Sequence, residues 1–280
     1  MLENPLLKNH PNTESIEWKF LDKDTYVEVE NILTDGVKLF NPFMVDNFFS
    51  TEDFQELVDL CTSYELSKLD YSNQMNKWEQ NLHIPEKFEQ LALNKLKSLL
   101  DIDDAQIQYT MYAHHQITED GRIPKLPLHI DWAPGSYMID LQIGGNRDWG
   151  FVAKYENFIC KPNQAVICQP QFDYHYRPSW NSTDPKEYYQ AIFFHIVNKN
   201  HWVVLDGNER SHYLNNKYSF GEEFRNSEVF ANFQKQRNLI FEESYIKKIM
   251  SINLPQPPWN EIPSSNDTHI HNRKNVKPGI

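Results

Sequence analysis

Leu128-His129-Ile130-Asp131-Trp132 and, further along, Phe172-Asp173-Tyr174-His175-Tyr176-Arg177 bound the stretch on which the fold and chemistry of this chain turn. On an extended backbone, side chains two residues apart point to the same side, so His129 and Asp131 can address one small ion. Between them and His175 lie several short alternating segments, enough sheet for the chain to fold back and bring in a second imidazole. Two imidazoles and one carboxylate with open coordination positions suit a non-haem Fe(II) oxygenase centre. A lone His-x-Asp is common, but this ordered set makes His129, Asp131 and His175 the candidate metal ligands and catalytic residues.

Working outward, the alternation extends in both directions. Ile107, Tyr109, Met111 and Ala113 share one face of a strand, with Gln106, Gln108, Thr110 and Tyr112 on the other. Tyr137, Ile139, Leu141 and Ile143 share a face over 136–143, and further strands are expected at 150–159, 164–169 and 187–198. Gly144-Gly145-Asn146 and Lys161-Pro162-Asn163 separate them as turns. Strands that follow one another without intervening helices argue for an antiparallel arrangement. The expected class is mainly β with flanking helices around a double-stranded β-helix, or jelly-roll, core.

Two helices should cover that core. Ser50 caps the first, with Glu52 and Asp53 in its first turn and Phe54, Leu57, Val58 and Cys61 at helical spacing. The second starts at Pro85 and carries Phe88, Leu91, Leu93, Leu96 and Leu99. The chain divides into an N-terminal extension over 1–40, the jelly-roll region with its covering helices over 41–200, and a C-terminal helical extension and tail over 201–280. Thr25 to Glu30 alternate weakly, 221–250 holds an amphipathic pattern, and the end is proline-rich and polar.

With 280 residues the chain can bury a sizeable core, and its 3 cysteines are too few and too odd in number to suggest a disulfide scaffold. No apolar run approaches the roughly 20 residues of a bilayer span, and the first residues lack a signal-peptide pattern. A reducing, cytoplasmic setting is expected. The net charge of −12 argues against general nucleic-acid binding, which needs clustered Lys and Arg. The 14 Tyr, 17 Phe and 7 Trp suit pleated surfaces and a sheet-rich fold.

Asn41-Pro42-Phe43-Met44-Val45-Asp46-Asn47-Phe48-Phe49-Ser50, Tyr109 and Tyr112, His129-x-Asp131, Lys161-Pro162-Asn163-Gln164-Ala165-Val166-Ile167 and His175 occur in an order that resembles the Fe(II)/2-oxoglutarate-dependent dioxygenase superfamily, in particular its prolyl-4-hydroxylase-like branch. The resemblance implies Fe(II) as cofactor and 2-oxoglutarate as cosubstrate, which is decarboxylated to succinate and CO2 while a substrate C–H bond is oxidised. It also implies hydroxylation over halogenation, because related halogenases replace the carboxylate at Asp131 with a small residue. The family places an Arg or Lys beyond the distal histidine, on the final core strand, to hold the far carboxylate of 2-oxoglutarate. Lys186 is the nearest match, with Arg177 as its rival, since a planar guanidinium binds carboxylates with two parallel hydrogen bonds. Tyr109 is a candidate hydrogen-bond partner of the same cosubstrate.

Other residues are open to two readings. Trp132, Tyr174 and Tyr176 can shape a substrate pocket, and Arg147 and Lys154 can meet an anionic substrate. His114 and His115 are adjacent on a strand and face opposite ways, so they cannot both serve one ion. His195, within an apolar run, reads as a core histidine, and His269 and His271 lie in a polar tail. A small molecule such as an amino-acid derivative is the favoured substrate. A peptide side chain remains an alternative, as do a non-oxygenase cupin-like metal protein and a binding module with a vestigial triad. No membrane partner is expected.

Overall fold

A computed structural model describes residues 40–198 except 74, 83, 104, 130, 132–135, 155, 171–172 and 174, together with 254–255 and 277–279. The long alternating segments form the strands their pattern predicts. In chain order these are β1 (Phe43–Val45), β2 (Asp70–Ser72), β3 (Lys77–Asn81), β4 (Ala105–Gln116), β5 (Leu126–His129), β6 (Tyr137–Gly145), β7 (Phe151–Ala153), β8 (Glu156–Phe158), β9 (Ala165–Cys168), β10 (His175–Arg177) and β11 (Tyr188–Asn198). A 7-stranded sheet runs β1-β9-β6-β11-β4-β3-β2, and a 4-stranded sheet runs β5-β10-β7-β8. Every pairing is antiparallel.

From β4 onward the chain crosses from one sheet to the other at each connection, apart from the β7–β8 hairpin. That winding is a double-stranded β-helix, the jelly-roll core. Central β11 lies between β4 and β6, with Ile192, Phe194 and Ile196 on one face and Tyr189, Ala191, Phe193 and His195 on the other, all buried. A strand flanked on both sides and covered on both faces reads as a near-continuous apolar run.

Two helices pack on the outer face of the larger sheet: α1 (Thr51–Thr62) and α2 (Glu86–Leu100). Ser50 caps α1 by accepting the Asp53 amide at 3.1 Å. α2 begins after Pro85 and stops at Asp101, whose φ of 54° places it in the left-handed region. Its buried stripe is Phe88, Ala92, Leu96 and Leu100 with Glu89 and Leu93 beside it. Leu91 and Leu99, expected to face the sheet, are 38% and 43% exposed. Three to four residues separate neighbours on one helical face, and these two leucines fall off it.

Phe88, Leu96, Tyr137, Ile139, Leu141, Ile192, Phe194 and Ile196 belong to the core between helices and sheet. Fully burying a side chain of this size stabilises by roughly 1.5–3 kcal/mol. A second cluster between the two sheets contains Met138, Phe151, Ala153, Val166, Cys168, Tyr189, Ala191 and Phe193. Cys61, Cys160 and Cys168 are buried free thiols.

Two further local features differ from the sequence expectation. The segment expected as one strand over 150–159 is the β7–β8 hairpin, turned at Lys154 with a φ of 53°. The β2–β3 hairpin, polar and without clear alternation, was not foreseen; it exists because β3 pairs along β4. The expected N-terminal extension, its weak strand and the amphipathic 221–250 segment lie outside the described residues. Near the C-terminus, the Glu119 amide donates to Lys277 O at 2.9 Å and the Gly279 amide to Ile117 O at 2.7 Å. Among the described residues no helix is long and apolar enough to cross a membrane.

Candidate metal centre

β5 and β10 are antiparallel neighbours, and their register sets His129 opposite His175. Directly opposed residues share a face of the sheet, which explains how imidazoles distant in sequence meet. Their ring centroids are 4.2 Å apart. Asp131 follows just past the end of β5, held by its amide donating to Pro170 O at 2.8 Å. Its Oδ1 lies 3.3 Å from His129 Nε2 and 3.7 Å from His175 Nε2. One ligand atom from each residue falls within 4.8 Å of the others, a spacing that can hold a metal ion.

Both imidazoles are locked in the tautomer a metal needs. His129 Nδ1 donates to Pro127 O at 2.7 Å, and His175 Nδ1 donates to Asp173 O at 2.9 Å. A carbonyl only accepts, so each Nε2 keeps its lone pair and turns it toward Asp131. The loop before His175 is closed on itself: the Asp173 amide donates to Gln169 O at 2.7 Å, and the Gln169 amide to Asp173 Oδ2 at 2.8 Å. Lys154 Nζ stands 3.0 Å from Asp173 Oδ1 and donates to Phe40 O at 3.1 Å, tying this loop to β1's approach.

Electrostatics favour the ligand forms. Burial works against the Asp131 charge, but the imidazoles of His129, His175 and His195, whenever they carry a proton on the side facing it, outweigh burial and hold the carboxyl well below its usual range; a cation between the Nε2 atoms acts in the same sense. Burial, reinforced by His129, lowers His175 to about 4, so it is a neutral ligand at neutral pH. His195 is also lowered to about 4, by burial first, and senses the Asp131 charge. It stacks on Tyr109 with centroids 4.1 Å apart. It is therefore a core histidine that also borders the metal centre, a placement its inward parity with Phe193, Ala191 and Tyr189 on β11 could have revealed.

The other candidates separate clearly. Arg177 points between the sheets, donating to Asp140 Oδ2 at 2.6 Å, to the Tyr189 hydroxyl at 3.1 Å and to Trp149 O at 2.9 Å. Lys186 is exposed on the turn before β11, where its amide donates to Asp184 Oδ1 at 2.9 Å. Arg147 pairs with Glu187 and lies 4.6 Å over Trp180, and Lys154 is engaged by Asp173, so neither faces an open pocket unclaimed. The Tyr176 hydroxyl donates to Pro255 O at 2.6 Å. Tyr112 is turned to the helix side and hydrogen-bonds Gln190. His114 meets Trp78 and Tyr188, while His115 meets Trp149 and Tyr189. Trp132 and Tyr174 lie outside the described residues, as do His269 and His271.

An inward ion pair was missed because its strand was missed. Lys77 Nζ and Glu79 Oε2 are 2.7 Å apart with side chains only 5% and 8% exposed, and Lys77 lies 5.7 Å from the Phe193 ring. Deeper between the sheets, Arg177 Nε, Asp140 Oδ1, Gln142 Oε1 and both His115 nitrogens are buried without hydrogen-bond partners. Buried polar atoms are ordinarily satisfied, so each of these is open to a water molecule or a small polar ligand. The unpartnered Nε leaves Arg177 able to take a carboxylate, and the three ligand atoms fit an octahedral divalent ion on one face.

No family model matches the chain, and no characterised protein matches its sequence. Its structure is similar to that of a viral collagen prolyl hydroxylase from Paramecium bursaria Chlorella virus-1 in complex with 2-oxoglutarate, at 10% identity and a TM-score of 0.43, covering 56% of this chain and 96% of that one. It is similar to HygX from Streptomyces hygroscopicus with nickel and 2-oxoglutarate bound, at 6% identity and a TM-score of 0.42, covering 64% and 88%. A third is a prolyl hydroxylase from Trichoplax adhaerens in complex with a hypoxia-inducible-factor peptide, at 11% identity and a TM-score of 0.41, covering 66% and 98%.

Proposed function

We propose that this chain is an Fe(II)- and 2-oxoglutarate-dependent dioxygenase that hydroxylates a C–H bond of a small molecule such as an amino-acid derivative, releasing succinate and CO2. The carrying observation is the convergence of His129, Asp131 and His175 with each imidazole Nε2 held toward one point. Bound iron supplies the activation of dioxygen that couples loss of CO2 from the keto acid to oxidation of the substrate.

The protein's own part is orientation and shielding. His129 and His175, fixed by carbonyls behind them, hold three positions on one side together with Asp131 and leave the other side for cosubstrate and oxygen. Arg177 receives the far carboxylate, an assignment supported by its burial between the sheets and its unpartnered Nε. Lys186 is the weaker choice because it is exposed. Tyr109, stacked on His195, lines the metal end and orients the cosubstrate there. The His129 and Asp131 side chains are only 16% and 21% exposed, which favours a small substrate over a peptide.

Anaerobic addition of 2-oxoglutarate to the Fe(II)-loaded protein should produce the visible charge-transfer band of a chelated keto acid. Oxygen should then yield succinate, slowly without the true substrate. No band and no succinate would refute the reading.

A further inference from the structure

We propose that Asp140 takes up one proton as the far carboxylate of the cosubstrate docks on Arg177, so that cosubstrate binding is proton-linked. This rests on the functional reading above and concerns the end of the cosubstrate distant from the metal.

The guanidinium meant to receive that carboxylate is already engaged. Arg177 Nη2 donates to Asp140 Oδ2 at 2.6 Å and to the Tyr189 hydroxyl at 3.1 Å, and both members of the Arg177–Asp140 pair are buried. The neighbouring Lys77 is claimed by Glu79 at 2.7 Å. His115 is held neutral by burial, with Lys77, Arg177 and His114 adding to the effect. Burial keeps the Tyr189 phenol and the Cys160 thiol protonated, the latter pushed up to about 12. The groups acting on Asp140 therefore sum to one positive charge, that of Arg177, which ionised Asp140 itself balances: from β3 the Lys77–Glu79 pair, from β10 Arg177, from β11 Tyr189, from β4 His115, and beyond β8 Cys160.

A keto acid's chelating end meets a dication that already shares Asp131. Its far carboxylate has no such balance, since among the described residues both buried cations facing Asp140 have a carboxylate of their own. Two carboxylates sharing one guanidinium away from water do not both stay ionised. Asp140 is the one placed to yield. Burial raises it against the opposing pull of Arg177 and Lys77, and its Oδ1 has no partner. A solvent proton on Oδ1 turns that oxygen into a donor to the incoming carboxylate, and the guanidinium then serves one anion.

The test uses the full chain loaded with Mn(II), which binds like Fe(II) but supports no turnover. Calorimetric titration with 2-oxoglutarate at pH 7.5, in two buffers of different ionisation enthalpy, counts the protons taken up. About one proton is expected with 2-oxoglutarate, and affinity should weaken about tenfold per pH unit in the alkaline range. 2-Oxopentanoate, which chelates alike but lacks the far carboxylate, should bind with none. Asp140→Asn should abolish the uptake and flatten the pH dependence for 2-oxoglutarate. Binding of 2-oxoglutarate without proton uptake by the unmodified protein overturns the inference while leaving the functional reading intact. Uptake that persists in Asp140→Asn, or appears equally with 2-oxopentanoate, places the proton elsewhere and also overturns it. Absence of any 2-oxoglutarate binding overturns the functional reading, and this inference with it.

Discussion

The two faces of the larger sheet are made by the same strands and do opposite work. On β6, Tyr137, Ile139, Leu141 and Ile143 turn to the helices, while Met138, Asp140 and Gln142 turn to the smaller sheet. β11 repeats the contrast, with Ile192, Phe194 and Ile196 against Tyr189, Phe193 and His195. The helix-side face is mostly apolar, and its buried polar groups are paired, Thr110 with Glu89 and both Tyr112 and His114 with Gln190. The inner face carries charged and unpartnered groups, which cost stability unless something binds them. Alternation with period two lets one sheet keep a structural core and a chemical chamber apart by the thickness of the backbone.

The sharpest way to break that division is to remove a ligand. His175→Ala should cut iron-dependent succinate formation by at least about a thousandfold, equivalent to about 4 kcal/mol, while the denaturant midpoint stays close to that of the unsubstituted protein. Metal content after loading reports the cause. Retained activity would show that the chamber works without this triad.

The reverse substitution tests the other face. Phe88→Ala empties a fully buried site on α2 and should cost about 3–5 kcal/mol in urea unfolding. Iron binding by the surviving folded fraction should not change. A weakened metal site would mean that the two faces are coupled.

Acidity strains the buried histidines, three of them between the two sheets and His114 on the helix side. His175, His195 and His114 are lowered to about 4, by burial first in each case, and His115 is also held well below its ordinary value, by burial first. Such groups bind protons once unfolded but not while folded, so their contribution is present above about pH 6.5 and is lost as pH falls toward 4. Asp173, raised to about 6 by burial, and Asp140, also raised, act in the opposite sense, since the folded state then holds the extra proton. Four imidazoles outnumber two carboxyls, so metal-free protein should lose on the order of 2–3 kcal/mol per pH unit between pH 6 and 5. A flat profile of unfolding free energy against pH would show these imidazoles to be open to solvent.

How far the chain could be read without a structure follows the same division. His129, Asp131 and His175 were legible because strand parity and order suffice to bring them together. Asp140 and Lys77 were not, since a single charged residue in a strand looks like a solvated one until the opposite sheet is placed over it. Arg177 and Lys186 could not be ranked from sequence for a related reason: parity aimed Arg177 inward, but only the path of the turn at 184–187 shows Lys186 exposed. The β2–β3 hairpin stayed hidden because its strands depend on pairing with β4, and not on their own periodicity.

A positioning effect comes next in size. Lys154→Met removes the cation that faces buried Asp173, whose backbone carbonyl orients His175. Groups that orient metal ligands are worth about 10–100-fold in metal affinity. The Fe(II) dissociation constant should rise by that factor, with kcat at saturating metal nearly unchanged. A fall in kcat with metal affinity intact would place Lys154 at the substrate instead.

The smallest effect is the most exacting for the packing argument. Leu96 and Leu99 sit one turn apart on α2, yet Leu96 is fully buried and Leu99 is 43% exposed. Leu96→Ala should cost about 2–5 kcal/mol, whereas Leu99→Ala should change stability by less than about 0.5 kcal/mol, since alanine favours the helix as well as leucine does. Equal costs at the two sites would mean that the outward side of α2 is also covered, by another part of the chain or by a partner. The helix would then have two buried faces, and the helix-side core would not end at α2.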